Sequence, residues 1–203
     1  MKRWGKVKSE TIISALYRQR HPREILALFP LSVLAGAVLG AFTNAINDWI
    51  SPEYFQTVTG GVVPLSSQIW APSIGQGVSK GAMMGAICGL ILTLYIGVVS
   101  HLQAPLRSSA KALFETLAFT LLFWVIGGIN AILLALAVPQ FYDLFLGLSA
   151  SMSDTINFAW IEGSVAGAQW GGLLAVSIAC ARFGAHWKQQ LKATENENFK
   201  SSE

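Results

Sequence analysis

The chain has 203 residues, 53% of them hydrophobic and 12% charged, with a mean hydropathy of +0.49. Soluble domains carry about a quarter charged residues, so this supply is too small to wet a water-soluble globule. The apolar content excludes a disordered chain, and two lone cysteines exclude a disulfide-stapled secreted domain. An integral membrane protein remains.

Residues 1–24 form a basic head that holds Lys2, Arg3, Lys6, Lys8, Arg18, Arg20 and Arg23. Within it Ile13, Leu16 and Tyr17 fall at helical spacing, which fits either a short interfacial helix or a solvated basic tail. Apolar runs follow at 25–46, 74–99, 112–138 and 157–180. Each reaches the roughly 20 residues that a helix needs to cross the hydrocarbon core. The first run starts too late and is too long for a signal-peptide core, so it reads as a retained span.

Thirteen of the fourteen Lys and Arg residues lie in the head, the connection 100–111 and the stretch that runs from Arg182 through the tail 184–203. The connections 47–73 and 139–156 hold Asp48, Glu53, Asp143 and Asp154 and no Lys or Arg. The positive-inside rule then places both termini in the cytoplasm. Trp49, Trp70 and Trp160 fall at the outer interface and Trp4 and Trp187 at the inner one, where amphipathic rings settle. Residues 194–203 are polar and are expected to lack order.

The chain also repeats itself. Gly77, Gly81, Gly85 and Gly89 are matched 86 residues later by Gly163, Gly167, Gly171 and Ala175. Ser51-Pro52-Glu53-Tyr54-Phe55 is echoed 87 residues later by Val138-Pro139-Gln140-Phe141-Tyr142, and Gly40 by Gly127. Residues 25–99 and 112–183 therefore read as two copies of one unit: a helix, a Pro–aromatic external segment, and a glycine-striped helix. With two spans per copy, the copies share one orientation, related by a pseudo-two-fold axis along the membrane normal. The expected fold is an all-α bundle of four transmembrane helices in two tandem parallel repeats. Glycines four apart make a flat groove on one helix face, and lipid-embedded helices associate through such close approach. The first span carries a related stripe of Ser32, Gly36, Gly40, Asn44 and Asp48. These glycine-zipper stripes read as packing surfaces, facing either the same chain or a second subunit.

The stretches NAINDWISPEYF (44–55), IGQGVSKGAMMGAICG (74–89), FWVIGGINA (123–131) and FAWIEGSVAGAQWGG (158–172) resemble a family of small bacterial four-span membrane proteins. That family carries an S-P-x-Y-F element after the first span and a related one after the third. Val138 departs from the pattern where Ser is expected, and Lys80 is an unusual occupant of its span. The resemblance implies a bacterial inner-membrane protein and supplies no catalytic or binding residues.

An ionisable residue inside a membrane is a functional hypothesis by default. Lys80 reads as one turn into the second span from outside and Glu162 as the start of the fourth, with Gln76 the counterpart of Glu162. Lys80 and Glu162 are placed either to form an ion pair, as a lock or a solute entrance, or to snorkel to water separately. Asn44, Asn47 and Asp48 occupy the last turns of span one. Asn130 reads as mid-span, where an interhelical hydrogen bond is expected, and Glu115 as an i,i+4 partner of Lys111. The Pro–aromatic segments read as short interfacial helices, with Pro52 and Pro139 in their first turns. Tyr54, Phe55, Phe141 and Tyr142 then anchor in the headgroup zone or form a lipid- or partner-binding platform.

Enzyme signatures are missing. His21, His101 and His186 lack metal-ligand spacing, Cys88 and Cys180 read as small apolar side chains, and no P-loop or nucleophile elbow occurs. No catalytic residue, metal or cofactor is expected. The first functional reading is a non-enzymatic packing or assembly component whose partners are the bilayer and either another copy or another membrane protein, without nucleic acid. The alternative is a transporter or channel for a small solute or ion, with its path at the repeat interface.

Overall fold

A computed structural model describes residues 20–52, 54–55, 70–146 and 151–200. Its elements are α1 (Pro22–Ile50), α2 (Trp70–Val99), α3 (Leu106–Ala137), α4 (Pro139–Leu146) and α5 (Met152–Lys200). Among the described residues there is no strand, and four helices are long and apolar enough to cross a membrane. The fold is an all-α polytopic membrane bundle. The expected interfacial helix at Ile13, Leu16 and Tyr17 lies outside the described residues.

The helices overrun the apolar stretches because their end signals lie beyond them. Pro22 opens α1 in the one helical turn that tolerates a missing N–H. Ser151 caps α5, its hydroxyl accepting the Asp154 backbone N–H at 3.2 Å. Past the apolar run no Gly or Pro occurs between residues 185 and 200, and Gln, Leu, Lys, Ala and Glu are good helix formers. The helix therefore continues to Lys200, which corrects the expectation of an unstructured segment from residue 194. Outward faces are apolar: Leu34, Val38, Phe42 and Phe114 are all exposed, as lipid allows and water would not.

α1 packs mainly along α2, and α3 along α5. In the first pair the backbones touch. A Cβ added to Gly36 would strike the Gly81 carbonyl oxygen and come 2.8 Å from Gly85 Cα; one added to Gly81 would strike the Gly36 carbonyl. Gly77 lies against the Gly40 carbonyl and the Asn44 Cβ, while Gly85 and Gly89 face Ser32. The second pair repeats these contacts. Gly163 lies against the Gly127 carbonyl and the Ala131 Cβ, Gly167 against the Phe123 carbonyl, and Gly171 against the Phe123 side chain. Each stripe thus meets a helix of its own chain.

At one end, hereafter the basic end, all four long helices share an apolar core. It gathers Ile25 and Leu28 of α1, Leu92 and Ile96 of α2, Ala112 of α3, and Val176, Ala179 and Phe183 of α5. The turn between α2 and α3 is tied into it. His21 N–H donates to the Leu102 carbonyl at 2.7 Å. One Glu24 oxygen accepts the Leu106 backbone N–H at 2.7 Å, capping α3 from α1, and the other lies 2.8 Å from His21 Nδ1. Glu115 pairs with Arg182 of α5 at 3.4 Å. The expected Glu115–Lys111 pair does not form, because Glu115 sits on the face of α3 turned to α5 while Lys111 is exposed.

Candidate functional site: a cleft between the helix pairs

At the opposite, aromatic end the two Pro–aromatic segments converge on α5. Tyr54 and Tyr142 flank Phe158, with ring centroids 5.1 and 6.5 Å away. The Tyr54 hydroxyl donates to the Glu162 carboxylate at 2.6 Å. Burial first, and then the Glu162 charge, hold both phenols above their ordinary pKa. Tyr54, Phe55 and Tyr142 are buried in protein and Phe141 alone of the four is exposed. This corrects the expectation that all four lie in lipid headgroups: Phe158 and Ile161 of α5 offer them an apolar seat.

Asn47 of α1 is fully buried and bridges to the second pair. Its amide oxygen accepts the Trp160 indole N–H at 3.2 Å and lies 3.4 Å from the Ser164 hydroxyl. The Trp160 ring fits because residue 128 is glycine: a Cβ there would fall 2.5 Å from a ring carbon. Gly127 therefore serves α5's backbone and Gly128 the indole. Trp160 in turn meets Trp124 edge-to-face at 5.4 Å.

A second polar group lies inside the first pair. Asn44 Nδ2 donates to the Ser73 carbonyl at 2.9 Å, and the Ser73 hydroxyl bonds the Asp48 carboxylate. Asp48 is 2% exposed, and its Oδ1 has no hydrogen-bond partner.

Below this end the pairs part, leaving a half-open cavity of about 100 Å³. It follows α1 from Ser32 to Asn44, about 18 Å at the helical rise. Leu39, Met84, Leu117 and Leu121 supply its apolar walls. Its hydroxyls are turned back onto their own helices: Ser32 donates to Leu28, Thr43 to Leu39, Thr116 to Ala112 and Thr120 to Thr116. The Trp124 indole N–H is different, buried without a partner on a side chain 6% exposed. Lys80 is the one charged residue of the lining, and Gln169 stands beside it in the wall.

These positions correct several expectations. Lys80 lies ten residues into α2, about 15 Å, next to Gly81, which packs on Gly36 at the middle of α1. It is not one turn from the end. Neither Lys80 nor Glu162 ion-pairs among the described residues, since the stripes pair within each unit and so do not bring Lys80 to Glu162; Tyr54 takes the carboxylate instead. Asn130 is exposed. The helix turn that sets Gly127, Gly128 and Ala131 against α5 rotates Asn130 off that face. Gln76, the repeat counterpart of Glu162 in the sequence, is half-buried and outside the cavity lining. Among the described residues no group of three or more His, Cys, Asp or Glu could hold a metal.

Trp160, Ser164, Ser73, Trp124 and Gly128 do not emerge as a polar assembly from sequence reasoning. The signal that could have found them is the closeness of Trp to glycine in FWVIGG and FAWIEG. No family model, no curated protein and no solved structure matches the chain.

Proposed function

We propose that the chain is a small-solute transporter, or the solute-holding membrane subunit of one, whose path runs between the two helix pairs. The observation that carries this reading is the lining of the cavity. An apolar trough would need nothing polar, yet this one has in its wall Lys80 and Trp124, whose buried N–H has no partner. A buried donor without an acceptor is costly, and a lysine inside a membrane marks a substrate or ion path more often than a structural device. Both groups offer hydrogens, and no carboxylate lines the cavity. The reading therefore favours a solute that brings an acceptor or a negative charge on an otherwise apolar body.

The matching glycine contacts of the two pairs support the same reading, since in transporters built from internal repeats the site lies at the repeat interface. From the distribution of Lys and Arg we place the basic end in the cytoplasm, and from the resemblance of its motifs we place the protein in a bacterial inner membrane. The chemistry is non-enzymatic.

Cysteine accessibility tests the path. In a background with Cys88 and Cys180 replaced by Ala, Thr120→Cys and Leu117→Cys should react with a charged, membrane-impermeant thiol reagent. Leu34→Cys and Phe114→Cys, on the outward faces, should not. Equal protection at all four positions would remove the path.

A second reading, an assembly component, is favoured by one residue. Asn130 is exposed on the outer face of α3, and an amide so placed in lipid is best satisfied by another copy.

A further inference from the structure

The two helix pairs provide an internal control on the polar group at Asn44, Asp48 and Ser73. Shifting by 87 residues on the first helix and 86 on the second, the displacements that relate the glycine contacts, turns these positions into Ala131, Ala135 and Ala159. Those alanines are buried and form one apolar cluster. The same helix crossing thus closes with three methyl groups in one pair and with an amide, a carboxylate and a hydroxyl in the other. Packing does not require the polar set.

The polar set is also incomplete. Ser73 satisfies one side of the Asp48 carboxylate, while Oδ1 faces no donor in a side chain that is 2% exposed. Asn44 donates an amide hydrogen to the Ser73 carbonyl, which leaves its amide oxygen out of that bond. Among the described residues, the other charged groups of α2 and α5, Lys80 and Asp154, Glu162, Arg182, Lys188 and Lys192 among them, make no ion pair with Asp48; Arg182 is held by Glu115 at the basic end. A bare carboxylate at this depth is expensive unless something positive joins it.

We infer that Asp48, Asn44 and Ser73 form a binding site for a small monovalent cation, either a proton or an alkali-metal ion. The uncovered Oδ1 receives the charge, and Asn44 and Ser73, linked to each other and through the Ser73 hydroxyl to the carboxylate, supply the further oxygens of the site. Asn44 also lines the cavity, so a cation bound here abuts the solute path. The inference stands whether or not that path carries a solute.

The test uses the full chain in lipid nanodiscs. Sodium, lithium and potassium chlorides are titrated against choline chloride at constant ionic strength while thermal unfolding is followed. In parallel, infrared spectra are taken across a pH series in choline alone. An alkali-ion site gives a saturable rise in Tm with one of the three salts. A proton site gives no salt dependence but a protonated-carboxyl infrared band that titrates and is lost in Asp48→Asn. The triple variant Asn44→Ala, Asp48→Ala, Ser73→Ala, which copies the second pair, should fold and show neither response. A wild-type chain with neither response overturns the inference, as does a response that survives in the triple variant.

Discussion

Tyr54 and Glu162, 108 residues apart, are joined by a 2.6 Å hydrogen bond from phenol to carboxylate. It ties the segment after α1 to the start of the last helix. Replacing Tyr54 by Phe, or Glu162 by Leu, should each lower stability by about 1 kcal/mol. The double variant should cost no more than either, because one bond is lost in every case. Additive losses in a double-mutant cycle would mean that the bond contributes nothing. Burial and Glu162 raise the phenol pKa in the folded chain, so the bond's contribution is complete below the unfolded phenol value of about 10. It fades only as pH rises through the higher folded value. Between pH 5 and 9 the Tyr54→Phe deficit should therefore stay constant.

Glycine-to-leucine changes separate contact from composition. Gly81 and Gly167 each face a carbonyl of the neighbouring helix, while Gly75 of α2 has nothing within 4 Å of where a Cβ would stand. Gly81→Leu and Gly167→Leu should each destabilise by about 3 kcal/mol or more, at or beyond the upper range for overpacking. Gly75→Leu should change stability by less than about 1 kcal/mol, the ordinary surface scale. Unfolding in mixed micelles reads all three.

Trp124→Phe keeps an aromatic ring against Trp160 and removes the uncovered N–H. If the solute accepts from that group, binding should weaken about five- to tenfold, the loss of one neutral hydrogen bond. Protein stability should hold or rise, because the orphan donor is gone. A loss of stability without a change in solute binding would make Trp124 a packing residue only.

Asn130→Leu should leave the stability of the detergent-solubilised monomer unchanged within about 0.5 kcal/mol, since the residue is exposed. If a second copy uses the amide, cysteine crosslinking across the outer face of α3 in membranes should fall in the same variant. Unchanged crosslinking would separate Asn130 from any assembly.

Much of the bundle was readable because each span writes itself as an apolar run, and because Ser32, Gly36, Gly40 and Asn44 recur every four residues on one face. The stripe's orientation followed from that spacing; its partner did not. A stripe signals close approach without naming the helix approached, so the Lys80–Glu162 pairing, which assumed stripes meeting across the two units, failed. The links that build the site are long-range: Trp160 reaches Asn47 over 113 residues and Glu24 reaches Leu106 over 82. No local pattern encodes them. Depth was misjudged for Lys80 because the apolar run starts at 74 while α2 starts at Trp70, and for Asn130 because periodicity alone does not say which side a neighbour occupies.

The two ends of the bundle join its halves by different means. At the basic end Ile25, Leu92, Val176 and Phe183 share a dry core, whose separation would expose all of it. At the other end, among the described residues and apart from the aromatic seat, the joints are a few polar bridges, Tyr54 to Glu162 and Asn47 to Trp160 and Ser164. Each is worth only about 1 kcal/mol and is readily exchanged for water. The halves are therefore hinged at the bottom and latched at the top. A rocking motion about Ile25 and Phe183 would release the bridges and widen the trough from above while its floor stays sealed, the geometry of a one-sided gate.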